Sequence, residues 1–200
     1  EQQSKFIFIS TDHLWDGCDS MMREDNPINP INAYARTKAD GESMVSKIDP
    51  AALIIRTNFF GAGLPWRKSI SDWMIEKLSS GEHVHGFTDS FFTPISLDHL
   101  IDLLEKLVKI GARGIYNVAG SERLSKYIFA LNICQELLLP SDLIIPASIN
   151  EAKLVAKRPK DLSLNTDKLT NLLRCSLPNV KEGVKTLELA DAKQKNSLYR

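Results

Sequence analysis

Three short runs of the chain are apolar at successive positions: KFIFIS at 5–10, ALIIR at 52–56 and IYNV at 115–118. Runs of that length without alternation predict strands buried on both faces of a parallel sheet. Between them the period lengthens to that of a helix. Helices are predicted over 33–46, with Asn32 as cap, and over 68–78, 97–109 and 126–138. LDHLIDLLEKLVK at 97–109 carries the strongest helical period and ends at Gly111. Weaker patterns predict short strands at 83–87 and 143–146 and short helices at 166–174 and 180–190. The Asp-, Asn-, Gly- and Pro-rich stretch 10–32, FFGAGLPW at 59–66 and AGSERLS at 119–125 read as loops. Strands alternating with helices place the chain in the α/β class, with parallel pairing through right-handed crossovers.

Composition narrows the function classes. In a chain of 200 residues, 43% apolar content is enough for one substantial core or a core plus a small lobe. Lys and Arg number 25 and so do Asp and Glu, so the electrostatic footprint of a nucleic-acid or anionic-membrane binder is missing. No apolar run approaches the roughly 20 residues of a bilayer span, and no signal-peptide pattern opens the chain. Cys18, Cys134 and Cys175 are far apart and lack CxxC spacing, which argues against a disulfide framework or zinc knuckle and for a reducing cytoplasm. His83 and His85 fall on one side of a strand, but two ligands without a third predict packing rather than a metal site. No metal is expected. The lack of a GxSxG elbow argues against a hydrolase of that type.

Chemistry gathers at two places. In NAYARTKADGE, Tyr34 and Lys38 stand four positions apart on a predicted helix, so both address one side of it. A cation beside a phenol favours its ionised form and moves the phenol toward acid/base work near neutral pH. The same spacing also arises by chance on a solvated helix face. Ser10 and Thr11 stand at the carboxyl end of the first strand, where ligands bind in open parallel sheets. They could equally cap that strand end, with Asp12 making a turn. Together, hydroxyl, phenol and ammonium would polarise a carbonyl.

The series FIFISTDHLWDG, REDNPINPINAYARTKADGE, ALIIRTNFFG, FFTPISLDHL, GIYNVAGSERLSKYIFALNI and AKRPKDLSLNTDKL runs in this order from about residue 5 to residue 187. It resembles the extended short-chain dehydrogenase/reductase superfamily and, within it, the dTDP-4-dehydrorhamnose reductases and their relatives. The resemblance implies the later part of a Rossmann-like doubly wound parallel sheet, over 1–60 and 91–120, with a small C-terminal α+β substrate-binding lobe over 61–90 and 121–190. Residues 191–200 read as a polar tail. The resemblance also implies NADP or NAD as cofactor and a nucleotide-linked sugar as substrate, its keto carbon receiving hydride.

By the same resemblance Thr11 matches the residue that hydrogen-bonds the substrate carbonyl. Tyr34 matches the proton donor, and Lys38 the lysine that holds the nicotinamide ribose and tunes the tyrosine. Ser10, Arg56, Thr57 and Asn58 fall beside the cofactor, while Asp12, His13, Phe59 and Arg158 fall beside the substrate. For Arg56 a strand-end salt bridge remains equally open. Arg158, in KRP, matches a position where a guanidinium can pair with a diphosphate. Trp15, Trp66 and Trp73 read as packing residues, although Trp15 and Trp66 lie in loops that could flank a sugar.

Departures from the pattern leave the sugar open. His13 stands where the rhamnose-type reductases usually carry an aromatic, commonly Tyr, and Phe59 where they carry Trp. The glycine-rich turn that holds dinucleotide phosphates in the family has no counterpart here. Gly61-Ala62-Gly63 leads into LPW without a third glycine and reads as a loop between lobes. The chain is therefore expected to be the later part of a longer protein. Two other readings stay open: a non-catalytic binding module resembling the regulatory beta subunit of methionine adenosyltransferase, and an epimerase or dehydratase using Asp12 and His13 as further acid/base groups. Helix 97–109 is expected to cross over the sheet, and a homodimer face on it stays open.

Overall fold

The computed structural model of the chain describes residues 5–64, 66–152 and 154–187. In chain order the first elements are β1 (Ile7–Ile9), α1 (Ala33–Ile48), β2 (Leu53–Arg56), β3 (Phe59–Phe60), α2 (Ile70–Ser79), β4 (Val84–Phe87), β5 (Phe91–Phe92) and β6 (Ile95–Ser96). There follow α3 (Leu97–Lys109), β7 (Gly114–Asn117), β8 (Leu124–Ser125), α4 (Lys126–Glu136), β9 (Ile144–Ala147) and α5 (Asp167–Leu173). The residues at 180–187 are also helical. The rest of the helix expected over 180–190 and the tail at 191–200 lie outside the described residues.

The α/β reading holds. Strands β1, β2 and β7 form a parallel sheet in the order β1-β2-β7, with Ile9 opposite Ile55 and Arg56 opposite Asn117. All four residues of β2 are buried, as a central parallel strand requires. Its side chains alternate between faces. Leu53 and Ile55 join Leu100, Leu103 and Leu107 of α3 in one cluster, while Arg56 reaches Glu42 of α1 on the other face. Helices therefore cover both faces of the sheet. One expectation fails locally: KFIFIS at 5–10 has the pattern of a strand buried on both faces, yet Phe6 is 54% exposed and Ile9 36%. The reason is position, because among the described residues β1 pairs only with β2 and stands at the edge of this sheet.

A second apolar cluster lies around α4. Phe129, Ala130 and Ile133 of α4 pack with Met74 and Leu78 of α2, Val84 of β4, Ile144 of β9 and Val180 and Val184 from 180–187. Strands β4 and β9 pair in parallel beneath them. Phe60 and Phe92 from the middle of the chain enter this cluster, whereas Leu169 and Leu177 from late in the chain enter the sheet's cluster. Gly86 in β4 lets α4 come close, since a Cβ there would lie 2.8 Å from the Tyr127 Cα. That approach sets the first turn of α4 against the strand. Phe59 and Phe60, read as loop, instead form β3 and pair with β6; β5 and β8 form a small antiparallel pair.

Candidate active site

Asn32 starts α1 as its cap: the side-chain oxygen accepts from the Ala35 N–H at 2.9 Å, and the side-chain nitrogen donates to the Lys157 carbonyl at 3.0 Å. One residue thus fixes both the helix carrying Tyr34 and Lys38 and the segment carrying Arg158. Lys38 donates from Nζ to the Ile9 carbonyl at 3.0 Å, at the carboxyl end of β1, with its ammonium 5.2 Å from the Phe8 ring. Tyr34 is 54% exposed, and its ring meets the His13 ring edge-on with centroids 5.8 Å apart. Thr11 is buried, and its Oγ1 accepts from the His13 N–H at 3.3 Å. His13 thereby joins Thr11 to Tyr34, and Lys38 reaches the end of the same strand.

Behind them the loop after β1 is sealed. Asp12 is buried; its Oδ1 accepts a bond from Thr11 Oγ1 at 3.3 Å and its Oδ2 one from the Asn58 amide. Burial pushes the Asp12 carboxyl above its ordinary range, against the pull of His13, the Asn58 bond and Lys126. Burial pulls the His13 imidazole down; Asp12 opposes that, while Lys126 and Arg158 add to it. The buried hydroxyls of Ser10 and Thr57 find no partner among the described residues. Buried polar atoms are ordinarily bonded, so these two are free to meet a ligand.

Arg56 is placed differently from the ligand role that the resemblance allows. Its guanidinium pairs with Glu42, Nη2 to Oε2 at 2.7 Å, and donates from Nη1 to the Glu24 carbonyl at 3.1 Å. Its other face lies 5.2 Å from the Trp15 ring. Of the two roles open from sequence, the geometry builds the salt bridge. Trp15 is buried beneath it, whereas Trp66 is 80% exposed. Phe59 is 48% exposed on β3 and lies apart from the cavity described next.

A cavity of about 310 Å³ opens between α2, β4 and the first turn of α4. His13 and Arg158 line it. Gly17 supports that placement: its φ is +82°, and a Cβ on it would lie 2.6 Å from the Pro159 Cβ. Trp73, His83 and His85 also line the cavity, although the sequence reads them as packing residues. Val84 between the two histidines is buried, so the strand alternates as expected and turns both imidazoles to the same side.

Lys126 was missed altogether. It is the first residue of α4, whose cap is Ser125, and it lines the same cavity. Its ammonium lies 3.1 Å from the Phe92 ring centre. Burial pulls it down to about 8; Asp12 opposes the shift and Arg158 adds to it. One signal was legible in the sequence. The first turn of α4 holds no acid and begins with a cation, against the preference of a helix N-terminus.

The family model for the RmlD substrate binding domain matches residues 1–192. A probable low-salt glycan biosynthesis reductase, Agl14, of Haloferax volcanii is 29% identical over 198 residues, which cover 95% of this chain and 65% of that protein. The methionine adenosyltransferase 2 subunit beta of Danio rerio is 25% identical over 173 residues, covering 83% of this chain and 54% of that protein. A crystal structure of dTDP-4-dehydrorhamnose reductase from Bacillus anthracis in complex with NADP superposes with a TM-score of 0.86. It is 24% identical, and the match covers 94% of this chain and 66% of that one. The chain thus spans between about half and two thirds of these proteins.

Proposed function

The chain belongs to the RmlD substrate binding domain family, and from that premise we propose that it carries the proton-donor and substrate side of an NAD(P)H-dependent cytoplasmic reductase. The substrate is a nucleotide-linked sugar with a keto group, and the chain divides into the Rossmann-like portion and the substrate-binding lobe set out above. The observation that carries the reading is the convergence on His13, whose N–H bonds Thr11 and whose ring meets Tyr34. Likeness to the Agl14 reductase over nearly the whole chain supports the same class.

The roles follow from chemistry. Thr11 orients the substrate carbonyl by a hydrogen bond. Tyr34 gives its hydroxyl proton to the oxygen as negative charge develops there. Lys38, fixed by the Ile9 carbonyl, keeps a positive charge beside that oxygen. NAD(P)H, when bound, supplies the hydride. The unpartnered hydroxyls of Ser10 and Thr57 fit a ligand rich in donors and acceptors at this strand end, and with Asn58 and Lys38 they would hold the nicotinamide side. Arg56 acts as scaffold, Asp12 fixes Thr11 and Asn58 behind the site, and His13 and Arg158 face the substrate.

A second reading, a non-catalytic binding subunit, is favoured by the likeness to methionine adenosyltransferase 2 subunit beta. NAD(P)H oxidation by the full-length protein with dTDP-4-keto sugars separates the two. The reductase reading requires turnover that collapses in Tyr34→Phe; undiminished turnover in that variant removes Tyr34 as the acid. No turnover by the wild type, with the nucleotide still bound, favours the binding subunit.

A further inference from the structure

The cavity beside the site has a one-sided chemistry that the proton-donor assignment leaves unused. Among its described lining residues are Lys126, Arg158, His13, His83 and His85, and no Asp or Glu. In a chain with as many acidic as basic residues, that imbalance is local rather than inherited from composition. Asp12 is the acid that acts on this group, and it is already engaged by Asn58 and Thr11.

Lys126 stands in an unfavourable place. Its side chain is half-buried, its ammonium shares the cavity with the Arg158 guanidinium, and it begins a helix whose N-terminal end is itself positive. The Phe92 ring and Asp12 offset this only in part. An anion seated between Lys126 and Arg158 would relieve all three penalties together. Part of the lining is apolar: Trp73 is 41% exposed and Ile70 47%, and Phe87 and Ile149 also line the cavity. That part suits a flat ring carried by the same ligand.

We propose that Lys126 is a specificity-determining residue of the site, pairing with Arg158 to grip the diphosphate of a nucleotide-linked ligand whose flat ring lies against Trp73 and Ile70. The assignment rests on the reading of the site as one for a nucleotide-linked sugar. It adds a partner for the anion that the sequence resemblance did not supply and makes the diphosphate, rather than the sugar alone, a requirement for tight binding. His83 and His85 also line the cavity.

The test is titration calorimetry of the full-length protein with dTDP, thymidine and inorganic pyrophosphate. Lys126→Met is expected to weaken dTDP binding by about tenfold or more, the size of a lost charge-assisted contact, and to change thymidine binding by less than about twofold. Lys126→Arg keeps most of the dTDP affinity. Circular dichroism confirms that each variant is folded, and Lys126→Gln, which retains most of the stem over Phe92, replaces the Met variant if that one is not. Wild-type protein that fails to bind dTDP, equal dTDP affinity in Lys126→Met, or an equal loss for dTDP and thymidine overturns the proposal. The two readings fail separately. Lys126-dependent dTDP binding without turnover of any keto sugar removes the reductase alone, whereas turnover with an unchanged KM in Lys126→Met removes the role of Lys126 alone.

Discussion

Arg56 and Glu42 form a bidentate ion pair between β2 and α1, with Nε to Oε1 at 3.0 Å and Nη2 to Oε2 at 2.7 Å. Both side chains are almost fully buried, so each charge depends on the other. Removing one partner leaves an uncompensated buried charge, and Arg56→Met is expected to cost about 3–5 kcal/mol of stability. The double variant Arg56→Met with Glu42→Leu removes both charges and should recover most of that loss. Urea denaturation of the single and double variants checks this. A single variant as stable as wild type would show that the pair does not hold α1 to the sheet.

Tyr34 is more than half exposed, so its hydroxyl can be removed without opening the core. Tyr34→Phe is expected to unfold at the wild-type temperature while kcat falls by about 10²–10⁴, the usual worth of a positioned proton donor. KM should change little, because the ring contact with His13 survives. A kcat within about twofold of wild type would place the proton donor elsewhere.

Gly17 joins the loop after β1 to the segment carrying Arg158. Its φ of +82° is unfavourable for any other residue, and a Cβ there would meet the Pro159 Cβ and the Lys160 backbone nitrogen, each at 2.6 Å. Backbone cannot yield as a flexible side chain does. Gly17→Ala is therefore expected to cost on the order of 1–3 kcal/mol and to displace Arg158 from the cavity. The kinetic signature is a raised KM with kcat nearly unchanged.

The central strands and α3 were legible because burial on two faces, or on one helical stripe, leaves a pattern several residues long. The strands β3, β5, β6 and β8 were not. Each is two residues long and exists through partners far away in sequence, as Phe59 opposite Ile95 does. The pair Tyr34 and Lys38 was legible because one helix holds both. Convergence on the cavity was not, since Lys126, His83 and Arg158 come from three separated segments. Arg56 could be read either way until the burial of Glu42 decided it, because a carboxylate on a helix gives no sign in sequence of facing inward.

Lys126 links stability to pH with a definite sign. Its pKa falls on folding from an ordinary 10.5 to about 8, so between those values the unfolded chain holds a proton that the folded chain has released. This group therefore penalises folding fully below about pH 8, and stability rises as pH increases through that window. The charged groups that act on it are Asp12, which opposes the shift, and Arg158, which adds to it, with His13 on the same cavity. Lys126→Met removes the penalty but also the contact with the Phe92 ring, so the net gain at pH 7 is expected to be on the order of 1 kcal/mol. That gain should shrink as pH approaches about 10.5. Chemical denaturation at pH 7 and pH 10 measures both. A variant less stable than wild type at pH 7, or a difference independent of pH, would show that the ammonium is solvated rather than enclosed. A stabler protein that binds dTDP more weakly is the outcome required of a lysine held in an unfavourable place for the sake of its ligand.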